Sequence, residues 1–357
     1  MAEAMTPEVF REQAEALEAA IGEVIVGQRA LVRGVLVALL ANGHVLLEGV
    51  PGLGKTLLVR TLADALGAEM RRIQFTPDLM PSDIVGSSLL EEAADGRRHF
   101  RFVPGPIFSE LVLADEINRA TPKTQSAMLE AMQERAVTVG GETRPLPRPF
   151  FVLATQNPIE MEGTYPLPEA QLDRFLLKLE VPVPGFEDLM EIARRTTGEH
   201  GRHAPHAMEV ATLRSMQDLV RAVPIAEHVM ARAVRIVQAT HPDSTSAPEL
   251  VRRYVAFGAS PRAVQALVLC GKATALLNGR VHVAAEDLAA VAPPALRHRV
   301  VLAFEGRAEG VAADDIVAAA VAAAAESDRA ETAGAAPPVA SEAGPSEAAL
   351  DERAVST

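Results

Sequence analysis

The sequence has a single cysteine, no tryptophan, two tyrosines, and a deficit of positive charge that leaves the chain at −13. The lone thiol, Cys270, forms no internal disulfide. No Cys/His cluster has zinc-ligand spacing, and His228, His241 and His282 are scattered, so a disulfide scaffold and a metal module are both excluded. The acidic balance gives a phosphate backbone or an anionic membrane little to attract, and so few aromatic residues supply no stacking platform for bases. Apolar runs are short: Arg33, Asn42 and His44 interrupt the best candidate, and Val317–Ala325 falls far below the roughly 18 residues a bilayer requires. The start, MAEAMTPEVF, lacks the basic region and apolar stretch of a signal peptide. These absences point to the cytoplasm.

What is there is an ordinary globular composition, 48% hydrophobic and 23% charged over 357 residues, enough for two units. Apolar runs of strand length recur at His44–Glu48, Met70–Thr76, Leu111–Asp115, Phe150–Thr155 and Leu176–Val181. Helical patterns lie between them, among them Leu57–Leu66 and Thr121–Glu134, where Thr121 is placed to cap and Pro122 fits the first turn. Strands alternating with helices predict an α/β fold, a parallel sheet flanked by helices. Two hairpins interrupt the alternation: Ser87–Leu90 with His99–Val103 around Asp95–Gly96, and Ala136–Val139 with Thr143–Leu146 around Gly140–Gly141. Past Pro184 helical patterns dominate, at Glu187–Thr196, Val210–Val223, Ala226–Thr240, Pro261–Asn278 and Ala284–Val291. The reading is a nucleotide-binding core over 1–184, an α-helical lid over 185–310 and a tail over 311–357. The Ala-, Pro- and Glu-rich stretch from 333 has too few large apolar groups to order itself.

Residues 49–56 read GVPGLGKT, the pattern G-x-x-x-x-G-K-[ST], directly after a strand and opening a helix. In such a loop Gly49, Val50, Pro51, Gly52, Leu53 and Gly54 turn backbone N–H groups toward phosphate oxygens at a helix N-terminus, and Leu57 continues that first turn. Lys55 reaches the β- and γ-phosphates, and Thr56 offers its hydroxyl to Mg²⁺, so ATP and Mg²⁺ are the expected cofactors. Leu111–Glu116 (LVLADE) is an apolar strand ending in two carboxylates; Asp115 is placed to hold Mg²⁺ and Glu116 to polarise the attacking water. Phe150–Asn157 (FFVLATQN) ends on the same edge, where Asn157 can orient water and γ-phosphate. Cys270, among Leu267, Val268 and Leu269, reads as a small core residue.

These motifs carry a resemblance. Over about Ala16–Phe304 the sequence resembles the AAA+ ATPases and, within them, the MoxR family, most specifically in FTPDLMPSDIVG (Phe75–Gly86), ADEINRATPKTQSAMLEAMQE (Ala114–Glu134) and ATQNPIEMEGTYPLPEAQLDRF (Ala154–Phe175). The resemblance implies that Asn157 is the first sensor and that Arg174 is an arginine finger reaching the ATP site of the neighbouring subunit. Arg262, in SPRA, matches the second sensor, expected to touch the γ-phosphate of its own subunit. Val26, Gly27 and Gln28 match the segment lining the adenine pocket, and Arg119 is a further candidate at the subunit boundary. The hairpins and the Phe75–Gly86 loop, with Leu79 and Met80 as apolar contacts, are expected to line or cap a central pore. The implied activity is an ATP-hydrolysing ring, a hexamer, that remodels or matures protein clients beside a partner bearing a von Willebrand factor A domain. Two other readings stay open: a nucleic-acid motor or restriction-type NTPase subunit, since DEINR occurs there too, and a metal chelatase motor with similar hairpins.

Overall fold

The computed structural model describes residues 5–92, 98–158, 164–197 and 203–334. The chain begins with α1 (Pro7–Gly22) and α2 (Arg29–Leu40), then enters a sheet through β1 (Val45–Glu48), α3 (Lys55–Leu66) and β2 (Met70–Gln74). A short α4 (Pro81–Val85) leads into an antiparallel hairpin, β3 (Gly86–Glu92) with β4 (Arg98–Pro104). Next come β5 (Leu111–Asp115), a 3₁₀ turn (Ile117–Arg119), α5 (Pro122–Glu134) and a second hairpin, β6 (Ala136–Val139) with β7 (Glu142–Pro145). The core closes with β8 (Phe151–Gln156), α6 (Glu169–Leu172) and β9 (Leu177–Glu180). The lid follows as α7 (Phe186–Thr196), α8 (Val210–Ala222), α9 (Glu227–Gln238), α10 (Glu249–Tyr254), α11 (Pro261–Leu277), α12 (Ala285–Leu296), α13 (Phe304–Ala308) and α14 (Ala313–Gly334), with a small antiparallel pair, β10 (Val255–Phe257) and β11 (Val301–Leu302).

The five core strands run parallel in the order β2-β5-β8-β1-β9. Both faces are covered, which is why β5 and β8 read as continuous apolar runs. Successive residues point to opposite sides. Leu46, Val112, Val152 and Ala154 meet Met128, Leu129 and Met132 of α5 on one side. Val45, Leu47, Leu113 and Leu153 join a larger cluster on the other, where residues of α1, α2 and α3 are continuous with the lid helices. The central strands thus end side by side at one edge of the sheet, each followed by a loop.

Both expected hairpins form, with Gly140 and Gly141 at positive φ in the second turn; the expected Asp95–Gly96 turn lies outside the described residues. Two helical expectations change. Helix α12 runs to Leu296 through Pro293 and Pro294, past the expected end at Val291. The expected tail begins instead as helix α14, whose Ile316, Val317, Ala320 and Ala324 are buried and which packs on α9 and α12. Asp314 pairs with Arg297, and Asp328 pairs with Arg232 and Arg235. Alanine is the strongest helix former, and its small side chain lets a helix lie close to its neighbours. The disorder expected from 333 falls almost entirely outside the described residues. Among the described residues no helix is long and apolar enough to cross a membrane.

His44, at the entrance of β1, is fully buried. The Val152 N–H donates to its Nδ1 at 3.1 Å, so the ring hydrogen sits on Nε2, 3.2 Å from the Met132 carbonyl. Burial pushes its pKa down to about 4, and Arg135 pushes the same way. The unfolded chain, with an ordinary value of 6.5, therefore takes up the proton first. Stability from this residue is complete above pH 6.5 and is lost as pH falls toward 4. Urea unfolding at pH 5 should show a loss of about 2 kcal/mol relative to pH 7 from His44. The His44→Gln protein should have a visibly flatter dependence, and an unchanged slope would show that the proton goes elsewhere.

Candidate active site

The phosphate loop joins β1 to α3. Gly52 and Gly54 take φ of +86° and +80°, with open space where a side chain would stand, so the loop can wrap an anion at the helix N-terminus. The Lys55 ammonium donates to the carbonyls of Gly49 and Val50, the latter at 3.3 Å. Burial lowers its pKa, while Asp115, Glu116 and Glu48 pull it back up, which places the lysine in the field of the strand-end carboxylates. Thr56 lies half-buried on the first turn and Leu57 is exposed.

Strand β8 lies between β1 and β5, so the loop, Asp115 with Glu116, and Asn157 share one edge. The Asp115 carboxylate accepts from Thr155 Oγ1 at 2.6 Å on one oxygen and from Arg72 on the other, Nη2 at 2.7 Å and Nε at 3.1 Å. Glu116 adopts φ +57°, a left-handed conformation costly for a residue with a side chain, and the Thr155 hydroxyl receives its N–H at 2.8 Å. Its Oε2 accepts from Gln74 at 3.1 Å and from Arg119 at 2.9 Å. Arg119, taken from the sequence as a boundary candidate, therefore pairs with Glu116 of its own chain. The Asn157 carbonyl lies 3.4 Å from Asn118 Nδ2.

The segment holding Val26, Gly27 and Gln28 lies between the phosphate loop and α7. Gln28 Nε2 reaches the Leu53 carbonyl at 3.4 Å, and Arg195 of α7 donates to Glu23 O at 2.7 Å. Gly27, at φ +74°, leaves room for the Asp188 carboxylate, which a side chain there would strike at 2.2 Å. Residues suited to a nucleoside and its phosphates thus converge at one edge. Mg²⁺ fits the same place: a hydroxyl and one carboxylate suffice for an ion that takes its other oxygens from phosphates and water. No cluster of three acidic, histidine or cysteine residues occurs among the described residues, and none is needed for that arrangement.

Arg174 and Arg262 are elsewhere. Leu176 N–H bonds the His44 carbonyl and Leu177 pairs with Val45, so the Arg174 turn lies at the start of β1, the opposite edge from the loop, a strand length of about 13 Å away. Arg262 lies there too: both arginines line a cavity of about 220 Å³ with Asn42, Arg135 and Leu176. In this arrangement Arg262, expected at the γ-phosphate of its own subunit, lies away from that subunit's phosphate loop. The lid docks through α11 on α1 and α2 and through α12 on β9, which carries Arg262 away from the loop edge. Of the described residues, none bonds the Arg174 guanidinium, and its Nε is buried without a partner. Leu79 is partly packed into the α5-side core, whereas Met80 is 58% exposed.

Sequence reasoning missed Arg72, Gln74 and Thr155, which hold the two carboxylates. A signal existed for the first two: Ile73 and Phe75 are buried, and strand alternation places Arg72 and Gln74 together on the other face.

A phosphate loop opening a helix, strand-end carboxylates, a polar residue on the adjacent strand and a helical lid together define an AAA-type ATPase. Residues 44–177 match the family model "ATPase family associated with various cellular activities (AAA)", and residues 247–320 match the AAA lid domain. The chain is 46% identical over 310 residues to "Chaperone MoxR1" of Mycobacterium tuberculosis, covering 84% of this chain and 80% of the relative. It is 33% identical over 309 residues to "Protein MoxR" of Methylorubrum extorquens, covering 82% and 89% respectively. A crystal structure from Cytophaga hutchinsonii, described as a candidate ATPase, superposes with a TM-score of 0.82 at 39% identity, covering 88% of this chain and 95% of that one. The chain belongs to the MoxR family of AAA+ ATPases.

Proposed function

We propose that the chain hydrolyses ATP with Mg²⁺ in a ring of identical subunits, a hexamer, and uses the cycle to remodel or mature protein clients beside a partner carrying a von Willebrand factor A domain. The observation that carries the ring is the division of the site: Lys55, Thr56, Asp115, Glu116 and Asn157 at one edge of the sheet, Arg174 and Arg262 at the other. Head-to-tail packing closes each loop edge with the arginine edge of the next chain.

Within that site Lys55 and the loop amides grip the phosphates, and Thr56 and Asp115 would hold Mg²⁺. Bound there, Mg²⁺ would supply charge neutralisation for the phosphates. Glu116, aimed by its left-handed backbone and its bonds to Gln74 and Arg119, accepts a proton from the attacking water, which Asn157 orients. Arg174 and Arg262 of the adjacent chain stabilise charge on the transferred phosphoryl group.

Protein rather than nucleic acid as the client is supported by the acidic chain, by the chaperone designation of the M. tuberculosis relative, and by apolar residues on the first hairpin, where Leu89, Leu90 and Phe100 are 49%, 55% and 75% exposed. The test is ATPase activity titrated at moderate salt with single-stranded DNA, duplex DNA and a von Willebrand factor A domain protein from the same genome. A several-fold change with the protein and none with DNA is expected, because an effector acts only through differential affinity for states of the cycle. Stimulation by DNA alone would replace this reading with the nucleic-acid motor.

A further inference from the structure

Between α6 and β9 the chain makes an irregular turn, Asp173–Leu176, that carries Arg174. Lid residues hold nearly all of its acceptors. The Asp173 carboxylate accepts from Arg299 Nε at 2.7 Å on Oδ1 and from Ser260 Oγ at 2.8 Å on Oδ2, and Oδ2 also lies 3.6 Å from Arg262 Nη1. Arg299 spends its remaining donors on main-chain carbonyls: Phe175 at 2.7 Å, Leu176 at 3.1 Å, Asp173 at 3.3 Å, and Ala295 of α12. His298 Nε2 adds a contact of 3.0 Å with the Phe175 carbonyl.

We infer that Asp173, clamped by Arg299, is the positioning residue through which the lid presents Arg174 and Arg262 to the neighbouring chain as one set pair. The inference rests on the reading above, in which Arg174 works on the neighbour's nucleotide.

Three observations carry it. First, the Arg299 side chain is only 3% exposed, and burial of a guanidinium is tolerated only when its donors are matched; here they are matched by the two carbonyls that follow Arg174 and by Asp173 immediately before it. A rigid planar fork satisfied on both sides of Arg174 fixes the direction of that turn, whereas apolar packing would leave it free to slide. Second, one carboxylate serves both arginines: Asp173 is covalently adjacent to Arg174, and its Oδ2 faces both the Ser260 cap of α11 and Arg262, two residues along. Third, the two arginines are left available. Arg174 has no partner among the described residues, and Arg262, 45% exposed, is restrained by Asp173 at a distance too long for a tight bond. A tilt of the lid in one subunit therefore moves both arginines together in the site of the next.

The experiment compares Asp173→Asn, Arg174→Ala and Lys55→Ala, alone and in one-to-one mixtures, with ring assembly followed by sedimentation. The Asp173→Asn protein should assemble and bind a fluorescent ATP analogue within about twofold of the unsubstituted chain, yet turn over about a hundredfold more slowly, as expected for a misplaced group. Amide exchange should quicken at 173–176 and stay unchanged in the phosphate loop. Mixed with Lys55→Ala, whose arginine edge is intact, it should recover activity at about a quarter of the sites of a random ring; mixed with Arg174→Ala, which is damaged at the same edge, it should not.

Normal turnover in Asp173→Asn overturns the inference. So does failure to recover with Lys55→Ala while Arg174→Ala does recover with it, since the damage is then to the fold at large. If Arg174→Ala also fails to recover in rings shown to be mixed, the reading of Arg174 itself falls. Ser260→Ala, which removes one bond to Asp173 and leaves the buried pair intact, should show the same mixing pattern with a smaller loss. Unchanged turnover there, should Asp173→Asn not fold, equally overturns the inference.

Discussion

The Arg174→Ala protein is expected to bind ATP normally and to turn it over about 10³-fold more slowly than the unsubstituted chain, the lower end of what an arginine finger supplies. The size follows from position. Arg174 lies a strand length from the loop of its own chain, so its loss leaves that chain's phosphate grip untouched, and among the described residues its side chain has no bonding partner whose loss would disturb the fold. In the proposed ring its guanidinium meets the neighbour's phosphoryl charge as that group departs, and an interaction made in the transition state alone appears in kcat rather than in binding. Steady-state phosphate release beside equilibrium binding of an ATP analogue reads both quantities. Turnover within tenfold of normal would exclude Arg174 from the chemistry.

The second large effect is at Glu116. Glu116→Gln keeps the size and the acceptor oxygen that Gln74 and Arg119 address, and removes the basicity. Loss of a general base lowers turnover by about 10² to 10⁴-fold. Affinity for ATP should persist, because Lys55, Thr56 and the loop amides do the holding. Lys55→Ala gives the reverse pattern, with binding lost first. Single-turnover hydrolysis of pre-bound ATP separates the two variants, and a Glu116→Gln protein that clears its bound ATP at the normal rate would remove Glu116 from the role of base.

The two substitutions differ in how visible their targets are in the chain. Glu116 closes an apolar run that nothing but a strand end explains, and the phosphate loop is written contiguously, so the sheet and one half of the site are legible from local patterns. The side of the sheet on which Arg262 falls is a different kind of fact. It depends on how the lid docks, and that is set by contacts between residues more than a hundred positions apart, such as Arg299 with Asp173, which leave no periodic trace. Arg72 and Gln74 are intermediate, since alternation along β2 groups them while only the pairing of β2 with β5 brings them to Asp115 and Glu116. Helix α14 was obscured by composition: an alanine-rich stretch looks poor in core-forming residues until a partner helix is near enough for alanine to fill the gap.

For the proposed ring, the opposed edges of the sheet imply an arithmetic of sites. Each chain contributes a loop half at one end and an arginine half at the other, so an open arc has one complete site fewer than it has chains, while a closed ring has as many sites as chains. Closure adds a site without adding a subunit, and the departure of one chain from a ring removes two. On dilution, hydrolysis per milligram should therefore decline ahead of the mean assembly mass, and a subunit released from the ring is switched off at both ends at once.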